Sequence, residues 1–366
     1  MSRQIRAIHQ VIDNAAPGNS ISNEAWALRA ALRAWGYRSE ILSGPVAPAL
    51  SGGARPLGRY RPLGRYRPRG GDLLLLHYSA ASPLADRVRE MGAPLVLVYH
   101  NVTPHRYFAQ LDPEHARRLE RGRAELPSFR AQTLLALARS QFSRRELVAA
   151  GYDDSAVVPL LVPEQLSRIE ADPALLARFA DGATNLLFVG RLAPNKRQED
   201  LLKVLYYYRQ IEPQARLFLV GSWSGARRYV DWLQDLARFL GLSQGLHLTG
   251  HVELAQLAAY YRLAHAYVSM SEHEGFGIPL VEAMRLGLPV VAYAAAAVPE
   301  TMGGAGILVR EKRSAVVAEL LHLLRTDAAL RERIVEQQRQ QARAFAPDVV
   351  LRRWRQLLEA AIEKLG

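Results

Sequence analysis

The sequence contains no cysteine, and it has no apolar run long enough to cross a membrane. The first absence excludes disulfides, thiolate catalysis, zinc ribbons and iron–sulfur clusters, and it fits a cytoplasmic protein. The longest uncharged apolar stretch, residues 286–299, has 14 residues including one glycine and two prolines, whereas a spanning helix needs about 20. The first six residues lack the apolar core of a signal peptide. We therefore expect a chain that is soluble or peripherally attached to a membrane.

Lysine is also scarce, because only four of the 47 basic residues are lysines. This preference for arginine indicates a GC-rich genome. The formal net charge is +12, and residues 1–165 alone contain 22 arginines, no lysine and 14 acidic residues. Such a surplus attracts anions. Phosphate groups, an acidic membrane surface and nucleic acid are therefore all candidate partners of the N-terminal half.

A chain of 366 residues is long enough for two domains. Short apolar runs alternate with helical patterns, which is typical of α/β proteins with parallel sheets. About nine runs are too many for one open sheet of ordinary width, so we predict two Rossmann-like domains, residues 1–165 and 166–346. A last helical pattern, residues 347–366, is predicted to cross back to the N-terminal domain. The predicted strands are Gln4–Ile12, Asp72–His77, Pro94–Tyr99, Ala156–Val162, Asn185–Val189, Ala215–Val220, Leu246–Thr249, His265–Ser269 and Pro289–Tyr293.

Residues 55–69 contain an arginine-rich repeat. The six residues Arg-Pro-Leu-Gly-Arg-Tyr at 55–60 recur at once at 61–66 and are followed by Arg-Pro-Arg. Proline and glycine at this density exclude a helix or a central strand, so the sequence predicts a basic loop between strands. Two interpretations stay open. The repeat is either a solvated insertion or an anion contact for a phosphorylated acceptor or lipid surface, made by Arg55, Arg59, Arg61 and Arg65.

The segment from Ser271 to Met284 carries the strongest chemical signal. It reads Ser-Glu-His-Glu-Gly-Phe-Gly-Ile-Pro-Leu-Val-Glu-Ala-Met and lies between an apolar run and a helical pattern. Gly275 and Gly277 let a ligand approach the backbone, and proline in the first turn suits a helix N-terminus, which favours anions. Glu274 and Glu282 would repel a phosphate and are better suited to sugar or ribose hydroxyls. The alternative is an ordinary helix start with acidic residues.

A second group of candidate residues follows an earlier apolar run. In the segment Asn-Leu-Leu-Phe-Val-Gly-Arg-Leu-Ala-Pro-Asn-Lys, residues 185–196, a predicted strand leads through Gly190 to Arg191 and Lys196. Ligands of open α/β sheets bind at this carboxyl edge. Two cations there can neutralise a leaving diphosphate. An exposed arginine and lysine in a surface loop would give the same pattern.

Together these residues resemble the family 4 retaining glycosyltransferases. The shared features are Gly-Arg-Leu with a lysine five residues after the arginine, and Glu-Gly-Phe-Gly-Ile-Pro with a second glutamate eight residues after the first. The resemblance continues through Val-Pro-Glu at 298–300 and Gly-Gly-Ala-Gly at 303–306, and it covers most of residues 184–310. The N-terminal half is similar more loosely, at residues 17–23, 76–79, 99–102 and 138–140.

The resemblance implies the α/β GT-B fold, in which two Rossmann-like domains with parallel sheets face each other across a cleft. It implies that Arg191 and Lys196 contact a donor diphosphate, that Glu282 holds the ribose, and that Glu274 binds the transferred sugar. His100 is implied near that sugar and the acceptor, which completes the catalytic set of Arg191, Lys196, Glu274 and His100. Further donor contacts are implied at Gly18, Gly190, Gly250, His251, Val252, Gly275, Phe276, Gly277 and Ile278. His77 and Asn101 are implied on the acceptor side, although both histidines also suit core or capping roles.

Three departures from the family's pattern are visible. Ala294–Ala297 occupy a stretch that usually contains glycine, Lys196 is followed by Arg197 where glycine is commoner, and the first loop has one glycine, Gly18, where many members have two. None of these departures removes a charged residue of the predicted site.

The resemblance implies transfer of a hexose from a nucleotide sugar to an acceptor hydroxyl with retention at the anomeric carbon. Bacterial surface polysaccharide or glycolipid synthesis, at the inner face of the cytoplasmic membrane, is the implied setting. The sequence contains no Asp-x-Asp motif, so we expect no metal and no cofactor besides the nucleotide-sugar substrate. The expected partners are this donor and a glycan or lipid-linked acceptor, with a peripheral contact to anionic membrane and no nucleic acid.

Three alternatives stay open at this point. A nucleotide-sugar 2-epimerase or a glycan phosphorylase would share the architecture. A basic nucleic-acid-binding protein would explain the charge, but no recognisable motif is present, and the two tyrosines of the repeat are a thin stacking platform. A non-catalytic member of the family would also fit the motifs, although the retained charges argue against it.

Overall fold

The computed structural model describes residues 5–13, 19–43, 60–62, 67 and 69–364, with 60–62 described for the backbone alone. The chain divides into two compact units. The first comprises the described residues up to His105, Glu114–Leu161 and those from Pro347 onward, and the second comprises Arg106–Pro113 and Val162–Ala346. The sequence placed the domain boundary between residues 165 and 166 and did not separate 106–113 from the N-terminal half.

The first unit is built on a parallel sheet. Its described strands are β1 (Ala7–Ile12), β2 (Ile41–Ser43), β3 (Tyr60–Pro62), β4 (Asp72–Tyr78), β5 (Leu95–Tyr99), β6 (Thr133–Ala138) and β7 (Ser155–Val157). They lie in the order β3-β2-β1-β4-β5-β6-β7, and every neighbouring pair is parallel. All residues of β4 and β5 are buried, as expected for central strands that are covered on both faces.

The second unit repeats this plan. Its described strands are β8 (Asn185–Val189), β9 (Arg216–Val220), β10 (Leu246–Gly250), β11 (Ala266–Ser269), β12 (Val290–Tyr293) and β13 (Ile307–Val309). They lie in the parallel order β10-β9-β8-β11-β12-β13. The predicted α/β class with two parallel Rossmann-like sheets is confirmed.

Helices connect the strands, as parallel pairing requires. The described helices are α1 (Ser20–Ala34), α2 (Pro83–Met91), α3 (Pro113–Glu125), α4 (Gln141–Ala149), α5 (Gln165–Arg168), α6 (Pro173–Arg178), α7 (Gln198–Ile211), α8 (Arg227–Phe239), α9 (Leu254–Leu263), α10 (Ile278–Arg285), α11 (Val298–Met302), α12 (Ser314–Thr326), α13 (Ala328–Ala342) and α14 (Pro347–Glu363). Short 3₁₀ turns lie at His105–Tyr107, Leu126–Gln132, Pro194–Lys196 and Arg343–Phe345. None of the helices in the described part of the chain is both long and apolar enough to span a membrane.

The C-terminal helix belongs to the core of the first unit. Val350, Trp354, Leu358 and Ala361 lie at helical spacing on one face of α14 and are buried. They share a hydrophobic cluster with Leu28 of α1 and with alternate residues of β4, β5 and β6. The predicted return of this helix to the N-terminal domain is therefore confirmed. The apolar stripe of α14 is buried there against one face of the sheet.

The nine predicted strand runs overlap observed strands, but four strands were missed. β2, β3 and β13 have only three residues each, and β6 directly follows a 3₁₀ turn. Part of the arginine-rich repeat, predicted as a loop, is the edge strand β3, which pairs with β2 at Ile41–Ser43. Proline is tolerated there because an edge strand has an unpaired side. Arg55, Arg59 and Arg65 lie outside the described residues, as does the side chain of Arg61.

Candidate functional site

In both units the strand order reverses beside the first strand. β1 lies between β2 and β4, and β8 lies between β9 and β11. At such a point the connections leave the carboxyl ends of neighbouring strands in opposite directions, and the crevice between them is where open α/β sheets bind ligands. The predicted residues of the second unit follow β8, β10 and β11. Those of the first unit that are described lie at the ends of β4 and β5.

The loop after β8 runs tightly against the loop after β9. The Gly190 N–H donates to the Val220 carbonyl at 2.9 Å, and a Cβ built on Gly221 would lie 2.0 Å from the Gly190 carbonyl oxygen. A side chain at Gly221 would therefore clash with backbone. Gly190 was predicted from sequence, whereas Gly221 was not, because only the strand order makes the two loops neighbours.

Arg191 follows Gly190 with an exposed side chain. Its Nη2 donates to the Ser224 carbonyl, in the loop after β9, at 3.3 Å. The guanidinium therefore lies at the carboxyl edge of the sheet, within reach of solvent. A neutral carbonyl is a weak partner for a cation compared with a carboxylate or phosphate.

Lys196 and Glu274 form an ion pair across the central crevice of the second unit. Lys196 Nζ lies 2.5 Å from Glu274 Oε2, and the two side chains are 20% and 16% exposed. The loops that carry them are bound together beside the pair. Asn195 Nδ2 donates to the His273 carbonyl at 3.1 Å, and the Glu272 N–H donates to the Asn195 carbonyl at 3.0 Å. The structure thus brings together two residues that lie 78 positions apart in sequence.

A network of charges supports the same two loops. Lys312 Nζ donates to Asp200 and to Glu272, at 2.8 Å each, and Arg197 also lies 3.2 Å from Glu272. Burial alone would raise the pKa of Asp200, but the bonds from Lys312 and Lys203 lower it, so Asp200 is held as a carboxylate. Sequence analysis missed Lys312, because its partners lie 112 and 40 residues away.

The N-terminus of α10 closes this side of the site. Gly277 has a left-handed backbone (φ 95°) immediately before the helix, and Pro279 lies in the first turn. Pro279 has no N–H and the Leu280 N–H donates to the Gly277 carbonyl at 3.0 Å, so this positive helix end has fewer free N–H groups for an anion than an ordinary helix start. One turn further on, Glu282 accepts a hydrogen bond from the Tyr261 hydroxyl at 2.8 Å. Burial raises the pKa of Glu282, against the effects of Tyr261 and Arg285.

Several of the other residues predicted to contact the donor make packing contacts or hydrogen bonds within the protein. The Phe276 side chain is buried against Phe345, and its carbonyl accepts from Thr301 Oγ1 at 2.6 Å, so this residue packs the loop. Gly250, with φ 74°, accepts from the Gly221 N–H at 3.0 Å. His251 and Val252 follow at the carboxyl end of β10, where His251 is exposed. Gly275 precedes Phe276 in the same loop and Ile278 is the first residue of α10, whereas Gly18 lies outside the described residues.

The first unit contains a buried polar chain at the ends of its central strands. His77 Nε2 lies 3.0 Å from Gln10 Oε1, and His77 Nδ1 lies 2.9 Å from His100 Nε2. The His100 backbone N–H donates to the Tyr78 carbonyl at 2.8 Å, which continues the β4–β5 pairing. The two predicted histidines are therefore direct partners of each other. Gln10 was missed because nothing in β1 distinguishes it from an ordinary polar residue.

An ion pair adjoins the two histidines. Arg139, at the end of β6, donates to Glu24 of α1, and the two residues are 1% and 0% exposed. Glu24 Oε2 lies 3.8 Å from His100 Nε2, and Arg139 Nη2 lies 3.4 Å from the same nitrogen. Glu24 also accepts the Leu161 N–H at 3.3 Å. Sequence analysis missed this pair, because the partners are 115 residues apart.

Burial decides the protonation of this cluster. It lowers the pKa of His77 and of His100 well below the ordinary value, and the nearby Arg139 charge adds to the effect. Burial also raises the pKa of Glu24, while Arg139 opposes that rise. Both histidines are accordingly neutral at physiological pH, and they can exchange hydrogen bonds without carrying charge.

Within the described residues, one group of side chains has the spacing of metal ligands. One ligand atom each from Glu24, His77 and His100 lies within 4.8 Å of the others. The Arg139 guanidinium already contacts Glu24 and adjoins His100. It therefore supplies the positive charge that balances the Glu24 carboxylate. A divalent ion would have to displace that guanidinium, and the donor set therefore fits an ion pair better than a metal.

Asn101, predicted on the acceptor side, points towards α4. It has a left-handed backbone (φ 69°), and its Nδ2 donates to Ser143 Oγ at 3.2 Å and to Glu146 Oε2 at 3.1 Å. Left-handed asparagine is favoured at tight turns. These contacts hold the chain in place directly after His100.

The two Rossmann-type sheets, with charged loops at their carboxyl edges, define a protein of the GT-B class. Residues 177–341, just under half of the chain, match the family described as glycosyl transferases group 1. The matched region includes Arg191, Lys196, Glu274 and Glu282. The resemblance drawn from the motifs is thereby confirmed over this segment.

Curated proteins of similar sequence are named as a glycosyltransferase and a mannosyltransferase. The chain is 29% identical over 286 residues to the D-inositol 3-phosphate glycosyltransferase of Thermobifida fusca, covering 72% of this chain and 63% of that one. It is 29% identical over 205 residues to O-antigen chain mannosyltransferase B of Escherichia coli, covering 53% and 52%. The similarity thus spans less than two thirds of the length of these relatives.

Solved structures share the whole fold. Sucrose-phosphate synthase from Thermosynechococcus elongatus superposes with a TM-score of 0.75 at 19% identity, covering 98% of this chain and 100% of that one. Anabaena HepE in complex with UDP and glucose superposes with a TM-score of 0.69 at 20% identity, covering 97% and 99%. At this identity the likeness establishes the architecture alone, and the predicted GT-B fold is confirmed.

Proposed function

We propose that the protein is a family 4 retaining glycosyltransferase, which moves a hexose from a nucleoside-diphosphate sugar to an acceptor hydroxyl. The observation that carries the proposal is the ion pair of Lys196 and Glu274 at 2.5 Å, with Arg191 and the start of α10 at the same sheet edge. This set offers cations and N–H donors for a diphosphate together with carboxylates for hydroxyls. The solved HepE complex with UDP and glucose is consistent with such a donor.

The donor diphosphate would lie against Arg191, Lys196 and the positive N-terminus of α10. Each supplies positive charge or a hydrogen-bond donor, and such contacts are shorter and stronger when the acceptor is an ionised oxygen. Glu282 would accept the ribose hydroxyls. Its partner Tyr261 leaves one of the two carboxyl oxygens for that role.

Glu274 would bind hydroxyls of the transferred sugar. A carboxylate beside a diphosphate is normally repelled, but Lys196 offsets its charge at 2.5 Å. Lys196 therefore has two functions in this proposal, since it contacts the diphosphate and orients Glu274. The loop bonds of Asn195 fix the distance between the two side chains.

In the reaction the bond between the anomeric carbon and the diphosphate oxygen breaks, and the acceptor oxygen bonds to the same face of that carbon. The acceptor proton passes to the leaving phosphate, so no separate protein base is needed. Arg191 and Lys196 stabilise the negative charge that grows on the diphosphate. Burial lowers the pKa of His100, so its proposed role is that of a neutral hydrogen-bonding group and not of a charged acid.

The two cations and the α10 N-terminus would replace the metal ion that otherwise neutralises a leaving diphosphate. We propose that turnover needs no metal and no cofactor besides the nucleotide sugar. Activity should therefore be unchanged by excess EDTA. A loss of turnover that returns on adding magnesium would contradict this part of the proposal.

For the acceptor we propose a glycan or a lipid-linked sugar of bacterial surface polysaccharide synthesis, met at the inner face of the cytoplasmic membrane. The O-antigen mannosyltransferase among the relatives supports this setting. The arginine surplus of residues 1–165 would favour a phosphorylated acceptor or an anionic membrane surface.

The direct test follows the anomeric configuration by ¹H NMR. The protein is incubated with α-linked UDP-, GDP-, ADP- and dTDP-hexoses without acceptor, and slow donor hydrolysis is observed. The proposal predicts that the first sugar released has the α configuration. Release of the β anomer would contradict retention, a new epimeric sugar would indicate an epimerase, and turnover only with inorganic phosphate would indicate a phosphorylase.

A further inference from the structure

A second concave surface lies in the second unit, at the opposite end of α10 from Gly277. It is a pocket of about 380 Å³, within the size range of small-molecule sites. Residues from three places line it: Glu164, Ser167 and Arg168 around α5, Arg285 at the end of α10, and Arg339, Ala342, Arg343 and Ala346 around the end of α13. We call it the arginine pocket.

The arginine pocket has four guanidinium groups and one carboxylate in its lining. Glu164 pairs with Arg168 at 2.5 Å. Among the described residues, no carboxylate lies within 4.0 Å of the charged nitrogens of Arg285, Arg339 or Arg343. Exposed arginines of the first unit do have carboxylate partners; Arg121, for example, pairs with Asp86 and Glu125. The pocket therefore places three arginines that lack a direct carboxylate partner among the described residues on one concave surface, while the charges of Glu164 and Glu282 act on Arg285 from longer range.

Arg285 is the fixed member of this group. Its Nη1 donates to the carbonyls of Val162 and Pro163, at 3.2 Å each, and its Nη2 donates to the Phe345 carbonyl at 3.3 Å. These bonds use three of its five N–H donors. Because the guanidinium is already held in place, a ligand that contacts it loses little side-chain entropy.

Arg339 and Arg343 line the pocket from one face of the end of α13. They are four residues apart, at the end of α13 and the start of the following 3₁₀ turn, so their side chains project from the same side. Both are exposed. A planar guanidinium matches the oxygens of a phosphate group better than an ammonium does.

We propose that the arginine pocket binds an oxyanion of the phosphate class with two or more negative charges, at a site separate from the proposed donor site. Such a group, carried by a small molecule or by a lipid headgroup, would accept hydrogen bonds from Arg285, Arg339 and Arg343 together. It would also link α10 to the segments 162–168 and 342–346, through which the chain enters and leaves the second unit.

The test measures binding of inorganic pyrophosphate to the full chain by isothermal titration calorimetry, with ionic strength held constant by KCl. The variant Arg339→Gln/Arg343→Gln should bind at least about tenfold more weakly, the size expected for losing charge-assisted hydrogen bonds. Arg333→Gln removes an exposed arginine of the same helix that does not line the pocket, and it should bind like the wild type.

Two further measurements show at which site pyrophosphate binds and whether the natural ligand is a lipid headgroup or a soluble compound. Pyrophosphate that bound at the donor site would be lost in Lys196→Ala, whereas binding in the arginine pocket should survive that change. Flotation with phosphatidylglycerol vesicles then distinguishes sources: retention that depends on Arg339 and Arg343 identifies a lipid headgroup, and binding in solution alone identifies a soluble phosphate compound. If neither ligand distinguishes Arg339→Gln/Arg343→Gln from Arg333→Gln, the proposal is wrong.

Discussion

In the first unit, Glu24 and Arg139 are 0% and 1% exposed and adjoin two neutral histidines. In the second unit, Lys196 and Glu274 are 20% and 16% exposed, and Arg191 is exposed at the same sheet edge. The first cluster is closed, since its members serve one another. The second is open, since its charged side chains are partly accessible to solvent. The same kinds of charged residue are therefore sealed from solvent in the first unit and accessible to a ligand in the second.

The largest effect should come from breaking the closed cluster. Arg139→Met leaves Glu24 buried without its cation, which typically costs about 3–5 kcal/mol of unfolding free energy. The double variant Glu24→Leu/Arg139→Met removes both charges and should be more stable than the single variant. Urea unfolding followed by circular dichroism measures both. A single variant within about 1 kcal/mol of the wild type would show that the pair is not desolvated.

Breaking the open pair should affect turnover and leave stability nearly unchanged. Lys196→Ala and Arg191→Ala should each lower kcat about 10²-fold, the effect of losing one transition-state anion contact. The unfolding free energy should change by less than about 1 kcal/mol, because these groups are partly solvated. Arg333→Ala serves as the control with ordinary turnover. Normal kcat in both variants would remove this site from the reaction.

Acid should weaken the first cluster. The unfolded chain protonates its histidines near pH 6.5, whereas His77 and His100 resist protonation when folded, because burial lowers the pKa of each. Their contribution is therefore complete above pH 6.5 and is lost as the pH falls below it. Between pH 7 and 5.5 the pair accounts for up to about 2.5 kcal/mol of lost stability. The raised pKa of Glu24 acts in the opposite direction.

Denaturant unfolding across this pH range separates these contributions. The double variant His77→Gln/His100→Gln should show a smaller loss of stability on acidification than the wild type. The variant His105→Gln changes an exposed histidine and should keep the wild-type pH dependence. An equal dependence in all three proteins would mean that the buried histidines take up protons freely.

The smallest effect should come from removing the ion pairs that hold the loops of the open site. Lys312→Ala removes the bonds to Asp200 and Glu272, and the donor KM should rise about threefold to tenfold, in line with one hydrogen bond to a charged group. Lys203→Ala is the matched control. Lys203 bonds to the same Asp200 at 3.0 Å but is half-exposed, so its KM should stay near the wild-type value. Equal changes in both variants would contradict a positioning role for Lys312.

The parts of the protein that were predictable from sequence are those with local patterns. Continuous apolar runs identified the central strands, and the helical spacing of Trp354 and its neighbours identified α14. The site loops were predictable because Gly190-Arg-Leu and Glu274-Gly-Phe-Gly lie within single short segments. Such residues stay adjacent in any fold that forms the strand and the following turn.

The rest depends on contacts between distant segments. The pairing of Glu24 with Arg139 and the bridging by Lys312 exist only once the sheet order is fixed, and neither residue type is unusual where it stands. The short strands β2, β3 and β13 have three residues each, too few to show a period. The segment 106–113 joins the second unit through tertiary packing, since Leu111 contacts the hydrophobic cluster of that unit.

The central claim is that the open site of the second unit holds a nucleoside diphosphate without a metal. Thermal unfolding with UDP, GDP, ADP and dTDP, each with and without magnesium, tests it most directly. At 100 times its dissociation constant, the correct nucleotide should add about 2.7 kcal/mol, which is roughly 5–10 °C for a domain of this size. This shift should occur with one nucleotide, be unchanged by magnesium and be smaller in Lys196→Ala. No shift with any nucleotide, or a shift that requires magnesium, would contradict it.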